Sequence, residues 1–420
     1  MRFSFICIGT YGDVVPYVAL GAKLRQEGHE VIIGAHEHAK ELCQKFSLAY
    51  YPIGGDLAKH TSKEEAKSLF EAKGLKKITA FFNVMRLLRK VLDIHLKDCR
   101  QATIDADVLI YHPAAFAGPH LAEFLKIPAI KMSLQPEILT SQHPSCLISM
   151  PKYLGKIGNL IGHFISQQFF WQIFRKKINQ WRKSELNLSK TPFWRPTKYS
   201  NIKELVTFSP SLIKRPTDWH SSTGMVSFCR LKEGGRWTPS KQLIQFLEEA
   251  EKPLYLGFGS LTEAFPSEIV NTIIEVFKEK KIKAIIPKNL PGLENILLPE
   301  HILAVDYIPH DWLFPKVSAV IHHGGVGTLS AGLYAGKATW VMPCIVDQFF
   351  FGQKTFEWGI GPKPLPKVQF TKKRFEDGLK DLLRNTSYTK NALKLQKRLD
   401  QEDGTQEAYQ WIIQQLEVKL

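Results

Sequence analysis

No stretch of this sequence stays apolar for the roughly 18 residues that a bilayer-spanning helix needs. Residues 1–8 form only a strand-length apolar run before Gly9 and Asp13, so neither a signal peptide nor a spanning helix is expected. Cysteine is sparse. Cys7, Cys43, Cys99, Cys146, Cys229 and Cys344 are scattered and include no C-x-x-C pair. That argues against a disulfide framework or a zinc site and suits a reducing, cytoplasmic setting. No Gly-Lys-Ser or Gly-Lys-Thr is present, so there is no P-loop. No G-x-G-x-x-G is present either. Repeats at solenoid periods and low-complexity tracts are also missing. Negative charge is the last shortage: 40 acidic residues face 56 lysines and arginines, a net +16.

The 420 residues suffice for two domains, and 44% hydrophobic with 11% aromatic content is that of a globular chain with packed cores. Lysine and arginine concentrate in Lys73–Arg100, Lys152–Lys183 and Lys372–Arg398. Solvated helix faces explain such clusters, and so does attraction to an anionic membrane surface. Nucleic acid is not an expected partner, because no nucleic-acid module is recognisable.

Strands and helices alternate twice along the chain. Strands are expected at Arg2–Ile8, Glu30–Ala35, Asp107–Tyr111, Ala129–Leu134 and Leu205–Phe208. A second series follows at Leu254–Phe258, Ala284–Ile286, Ile302–Asp306, Ala319–Ile321 and Thr339–Met342. A helix is expected over Tyr17–Glu27, stopped by Gly28. This alternation implies two α/β domains with parallel, doubly wound sheets. The organisation reads as domain 1–215, linker 216–239 with its Pro and Gly residues, domain 240–400, and a last helix within 401–420. Gly155–Lys183 reads as one helix, with Ile157, Leu160, Ile161, Phe164, Trp171, Phe174, Ile178 and Trp181 at helical spacing. Arg175, Lys176, Lys177, Arg182 and Lys183 lie at its far end.

The richest motif is His322-His323-Gly324-Gly325-Val326-Gly327-Thr328. It stands between a short apolar strand and an expected helix, Leu329 to Ala335. A glycine-rich turn there brings backbone N–H groups to a helix N-terminus, where the dipole favours an anion. About twenty residues on, Asp347-Gln348 places a carboxylate beside an amide, a pair suited to sugar hydroxyls. Phosphates plus sugar hydroxyls point to a nucleotide sugar.

The segments Asp311–Pro315, His322–Thr328, Ala331-Gly332-Leu333, Ala335-Gly336, Pro343 and Asp347-Gln348 resemble the donor signature of the UDP-glycosyltransferase superfamily. Gly9-Thr10-Tyr11-Gly12-Asp13-Val14-Val15-Pro16 resembles its acceptor-side motif. The similarity is greatest to the sterol glucosyltransferases and the antibiotic glycosyltransferases. It implies the GT-B architecture: two Rossmann-like domains facing each other across a cleft, with the last helix crossing back to the N-terminal domain.

The residues then take expected roles. Asp13, after the first strand, is the candidate base that accepts the proton of an acceptor hydroxyl. The other reading is that it caps a helix beginning near Pro16. Many relatives carry histidine at this place, supported by an aspartate on a neighbouring strand; here Tyr111 or His112 occupies that supporting place. Thr10, in the same turn, is expected among the residues that bind the nucleotide-sugar donor. His323 would donate to the diphosphate, joined by Gly325, Val326, Gly327 and the Thr328 hydroxyl. Ser260 would reach a phosphate or ribose, and Tyr307 with Ile308 would recognise the base, uridine or thymidine. Asp347 and Gln348 would hold the sugar. Asp105-Ala106-Asp107 spells the D-x-D of metal-dependent transferases but has no second ligand, so no metal and no cofactor are expected. His29, His36 and His38 read as lining a surface turn rather than a metal site.

The expected activity is inverting, metal-independent transfer of a hexose, glucose from UDP-glucose in the first instance, to a hydroxyl of a lipophilic acceptor. The acceptor pocket falls to residues 50–90 and 135–200. The alternatives are another GT-B nucleotide-sugar enzyme of epimerase type, or a non-catalytic nucleotide-sugar- or lipid-binding protein.

Overall fold

The computed structural model describes residues 1–56 and 75–417, and among them the strands form two parallel sheets. The first sheet has the order β3-β2-β1-β4-β5-β6-β7. Its strands are β1 (Arg2–Cys7), β2 (Glu30–Ala35), β3 (Ala49–Pro52), β4 (Val108–Tyr111), β5 (Ala129–Ser133), β6 (Ile202–Thr207) and β7 (Thr223–Val226). The second has the order β10-β9-β8-β11-β12. It comprises β8 (Leu254–Gly257), β9 (Ala284–Pro287), β10 (Ile302–Val305), β11 (Ala319–His322) and β12 (Ala338–Val341). Central strands such as β1 and β11 are buried nearly end to end, because helices cover both faces of a parallel sheet.

The helices of the first unit are α1 (Tyr11–Gln26), α2 (Lys40–Lys45), α3 (Leu75–Gln101), α4 (Gly118–Leu125) and α5 (Gly155–Ser184). Those of the second are α6 (Lys241–Glu248), α7 (Ser267–Glu279), α8 (His310–Leu313), α9 (Val326–Tyr334), α10 (Asp347–Glu357), α11 (Lys372–Arg384) and α12 (Thr386–Leu399). The last helix is α13 (Gly404–Glu417). The chain divides into one compact unit of residues 1–231 with 403–420 and another of residues 232–402. The terminal helix α13 packs on α1, β6 and β7, with Trp411 against Gly224 and the Glu407 carboxylate accepting from the Ser227 N–H at 3.0 Å.

Four details depart from the sequence pattern. β7 lies inside the segment 216–239 read as linker; it completes the first sheet although its four residues, Thr-Gly-Met-Val, are too few to show periodicity. β3 also escapes the pattern, being four residues of half-exposed edge strand. α1 begins at Tyr11, six residues before the expected start, and carries Pro16 inside its second turn. Proline there forgoes one helical hydrogen bond, so it is easily misread as the first helical residue.

The fourth detail is α5. Its second half buries Trp171, Phe174, Ile178 and Trp181 in the core of the first unit, on the expected face. Its first half turns a different side inward: Gly158, Gly162, His163 and Ser166 are buried, while Ile157, Leu160, Ile161 and Phe164 are exposed. A Cβ on Gly162 would stand 2.5 Å from the Ile148 carbonyl oxygen. The preceding chain therefore runs along the glycine side and takes the place of apolar packing. Arg182, expected among the surface cations, is buried in a two-pronged ion pair with Glu123 (2.8 and 3.0 Å).

Candidate active site

In a sheet of order 3-2-1-4-5 the connections reverse direction between β1 and β4, and ligands bind outside the carboxyl ends at such a point. In the first unit that position is occupied by the turn after β1. Gly9 has φ +153°, and a Cβ on it would strike the Asp13 carboxylate at 2.5 Å. Asp13 is the third residue of α1, not a cap of a helix beginning near Pro16. Its Oδ2 accepts from the Thr10 backbone N–H at 2.7 Å and from the Thr10 hydroxyl at 3.0 Å. Thr10 thus positions the carboxylate, which remains half-buried.

Of the two candidates for the supporting place, His112 is close enough to feel the Asp13 charge. Tyr111 is buried against Gly118, whereas the His112 ring lies 6.0 Å from that of Tyr17, one turn along α1 from Asp13. The His112 N–H pairs with the Ile6 carbonyl at 2.9 Å, fixing it beside the end of β1. Its Nδ1 accepts from the Ala114 N–H at 3.2 Å. Burial lowers the His112 pKa, and the Asp13 charge acts in the opposite direction.

One neighbour of Asp13 escaped the sequence reading. His38 bonds to the Thr10 backbone and senses the Asp13 charge; burial lowers its pKa, against Asp56, whose Oδ2 is 3.9 Å from its Nδ1. The expectation that His29, His36 and His38 line a surface turn is corrected for His36, which is buried with its Nδ1 2.9 Å from the Ile53 carbonyl. Its ring lies 5.5 Å from that of His95. The signal that could have found this is position, since β2 ends at Ala35 beside β1. Asp105 and Asp107 lie at the amino end of β4. Asp107 accepts from the Arg2 backbone N–H at 2.7 Å, and Asp105 pairs with the Arg2 guanidinium at 3.3 Å. Both are structural and stand at the other end of the sheet from Asp13. Part of the expected acceptor pocket, residues 57–74, lies outside the described residues.

In the second unit the reversal falls between β8 and β11, and the turns after both strands meet there. His323 sits between Gly259 and Gly325: a Cβ on either would come within 2.6 Å of its ring. Only glycine at both places admits the imidazole. His323 is buried, and burial holds its pKa down at about 4, with the charge of His310 acting in the same sense and a hydrogen bond to the Gly257 backbone in the opposite one. At neutral pH it is therefore uncharged. α9 starts at Val326, three residues before the expected start, and its cap, Gly325, makes no side-chain bond. The N–H groups of Val326, Gly327 and Thr328 therefore fall in the unpaired first turn, and that turn carries no acidic residue. Ser260 is exposed in the turn Gly259–Ala264 beside His323.

Gly324 packs on the backbone of Gln348, which brings the start of α10 to the same turn. Asp347 is the first residue of α10, and Val346 before it has φ +42°, a strained conformation for a β-branched residue. The Gln348 side-chain oxygen accepts from the N–H groups of Cys344 (2.9 Å) and Ile345 (3.1 Å) and so holds that loop. Half of the amide is thus committed to the loop, leaving its NH2 group as the part that could meet a sugar. Tyr307 leaves its ring exposed while its hydroxyl donates to Glu233 at 3.3 Å; Ile308 is buried. His310, whose pKa burial also lowers to about 4, stacks on Phe314 at 4.4 Å.

Residues 3–144 match the glycosyltransferase family 28 N-terminal domain, and residues 263–416 match the erythromycin biosynthesis protein CIII-like C-terminal domain. A sterol 3-beta-glucosyltransferase of Arabidopsis thaliana is 33% identical over 96% of this chain and 64% of its own length. One from Emericella nidulans is 31% identical over 99% of the chain but 30% of its own length. The chain thus spans less than two thirds of either relative. Among solved structures, the kitacinnamycin glycosyltransferase superposes over 99% of both chains with a TM-score of 0.69 at 16% identity. That likeness is one of fold, the GT-B fold.

Proposed function

We propose a transfer reaction from one premise: the chain belongs to the UDP-glycosyltransferase superfamily of GT-B fold, in the branch of the sterol and antibiotic glycosyltransferases. The reaction moves a hexose, glucose from UDP-glucose, to a hydroxyl of a lipophilic acceptor of the sterol type, with inversion and without a metal. The acceptor oxygen attacks the anomeric carbon as its proton passes to Asp13. The bond from that carbon to the diphosphate oxygen breaks, and UDP departs with the electron pair. One carboxylate suffices for a single displacement of this kind. The leaving charge falls on the open N-terminus of α9, where backbone N–H groups and the helix dipole meet the phosphates and neutral His323 donates one further hydrogen bond. Ser260 would add a contact to phosphate or ribose, Tyr307 and Ile308 would take the base, and Asp347 with the Gln348 NH2 group would hold the sugar.

The observation that carries this reading is the buried His323 imidazole, held between Gly259 and Gly325 beside a helix N-terminus that has no side-chain cap. The relatives' sterol chemistry supports the acceptor class. The positive charge of residues 138–203 supports an anionic membrane surface as the place where a lipophilic acceptor is met.

The test is labelled UDP-glucose with detergent-dispersed sterol, with thymidine diphosphate-glucose in parallel and EDTA present. A sterol glucoside of inverted configuration, formed undiminished in EDTA, is expected. Conversion of the donor with no acceptor present would identify the epimerase type of enzyme. UDP binding with no transfer across sterols, polyketides and glycolipids would identify a binding protein. Loss of transfer in EDTA, restored by Mg²⁺ or Mn²⁺, would overturn the metal-free mechanism.

A further inference from the structure

The first three turns of α5 are inside out. Ile157, Leu160, Ile161, Phe164 and Ile165 follow the spacing i, i+3, i+4, i+7, i+8, which in a soluble helix marks the buried face. Here that stripe is the exposed face: Ile157 is 67% and Phe164 45% accessible. The buried side consists of Gly158, Gly162, His163 and Ser166. A contiguous exposed apolar stripe marks an interaction surface.

The stripe is extended by a rigid neighbour. The loop at Phe193-Trp194 is pinned to the middle of α5 by three hydrogen bonds. The Trp171 Nε1–H donates to the Phe193 carbonyl at 2.8 Å, the Gln172 amide donates to the same carbonyl at 2.8 Å, and the Gln168 amide donates to the Trp194 carbonyl at 3.0 Å. The pinning aims both rings outward, Trp194 at 6.1 Å from Phe164 and 59% accessible. Tyr153, 85% accessible, precedes the stripe.

The surroundings carry one sign of charge. Residues 138–184 contain seven lysines and arginines and no aspartate or glutamate. Two of the seven are engaged internally, Arg182 with Glu123 and Lys177 with Asp93. Lys152, Lys156, Lys176 and Lys183 are exposed, as are Lys190, Arg195 and Lys198 after the helix.

We infer that this face of α5, with Phe193 and Trp194, docks the protein on an anionic lipid bilayer. The inference rests on, and localises, the membrane reading given above. Charge complementarity singles out this occupant: a bilayer offers phosphate and carboxylate headgroups to the lysines and an acyl boundary to the stripe, with indole and phenol rings at the level between them. A second copy would bring like charges together. A single small molecule is a poor fit to a convex helical ridge about 12 Å long, because ligand sites are concave.

The test is flotation of the 420-residue protein with vesicles of phosphatidylcholine alone and with phosphatidylserine added. Binding to the anionic vesicles only, weakened about tenfold or more by high salt, is expected. Ile161→Glu with Phe164→Glu should weaken that binding on the order of 100-fold. UDP affinity by calorimetry, circular dichroism and melting should stay unchanged. Vesicle binding equal to wild type in the double variant would overturn the assignment to this face while leaving membrane association and transfer intact. No vesicle binding by the wild type would overturn docking altogether, and transfer to dispersed sterol would then still stand. A wild-type dimer that the double variant splits into monomers would identify a second copy as the occupant. Loss of turnover on a water-soluble acceptor with the fold intact would assign the stripe to the acceptor pocket instead. Either result would overturn the inference.

Discussion

Two strand–turn–helix units, built alike, end in opposite states. In the first, α1 follows β1 and its N-terminus is closed by its own anion: Asp13 accepts from the Thr10 N–H and hydroxyl. In the second, α9 follows β11 with glycine at its cap and no acidic residue in its first turn. Both helices direct a partial positive charge at the carboxyl end of a parallel sheet. Where the chain supplies its own carboxylate, that charge orients a base; where it does not, the charge is left for an external anion. One acidic residue at the third helical position separates the two uses.

Removing that carboxylate should give the largest effect. Asp13→Asn keeps the size of the side chain and an oxygen that can accept from Thr10, yet loses the basicity. Transfer should fall on the order of 10²–10⁴-fold, with UDP affinity by calorimetry nearly unchanged. Near wild-type turnover would remove Asp13 from the role of base.

The comparison can also be inverted. Thr328→Asp gives α9 the carboxylate that α1 has at its third position. UDP affinity should fall on the order of 100-fold through charge repulsion and occupation of the N–H groups. Fold stability should hold or rise by about 0.3–1 kcal/mol, because an acid in the first turn suits the dipole. Lower stability together with unchanged UDP affinity would show that α9 does not bind the phosphates.

A smaller contrast separates the neighbours Asp347 and Gln348. Asp347→Ala should weaken UDP-glucose about tenfold and change UDP affinity much less, because in this reading the carboxylate meets the sugar hydroxyls. Gln348→Ala strands the N–H groups of Cys344 and Ile345 and should instead cost roughly 1–3 kcal/mol of stability in a denaturant melt. Equal loss of both ligands in Asp347→Ala would make that residue structural.

The smallest effect is a flat line. His323 is held at about 4 by burial, so it is already neutral at pH 7. UDP-glucose affinity should change less than about twofold between pH 8 and 5.5, and strengthening as pH falls through 6.5 would mean that the cationic form binds. Stability behaves differently. The unfolded histidine, near 6.5, binds a proton that the folded one refuses until about 4. The contribution is therefore complete above pH 6.5 and lost as pH falls from there towards 4, on the order of 3 kcal/mol for His323 and again for His310. Thermal melts across that window measure it.

Most of the fold was legible because its strands are short, continuous apolar runs between turns, and ten of them showed in the sequence. β3 and β7 did not, since four residues carry no period and their strand character comes from pairing with β2 and β6. The glycine cradle was legible as a motif, whereas the sandwiching of His323 between Gly259 and Gly325 was not, because those glycines stand 66 residues apart. Gln348 read as a sugar ligand from its neighbour, yet half of its amide holds a loop. Trp171, Phe174, Ile178 and Trp181 shared one helical spacing with Ile157, Leu160, Ile161 and Phe164, yet only the first four are core.

What the sequence determined by itself were the local choices: parallel strands from apolar runs, an anion-binding turn from glycine before a helix, and the excess of positive charge. These depend on residues a few positions apart, whose sterics and dipoles act without the rest of the molecule. Tertiary structure alone decided which side of α5 is buried, which of Tyr111 and His112 lies within the field of Asp13, and which cations are free. Each of those depends on what lies across from a side chain, and a partner remote in sequence leaves no period for the chain to display.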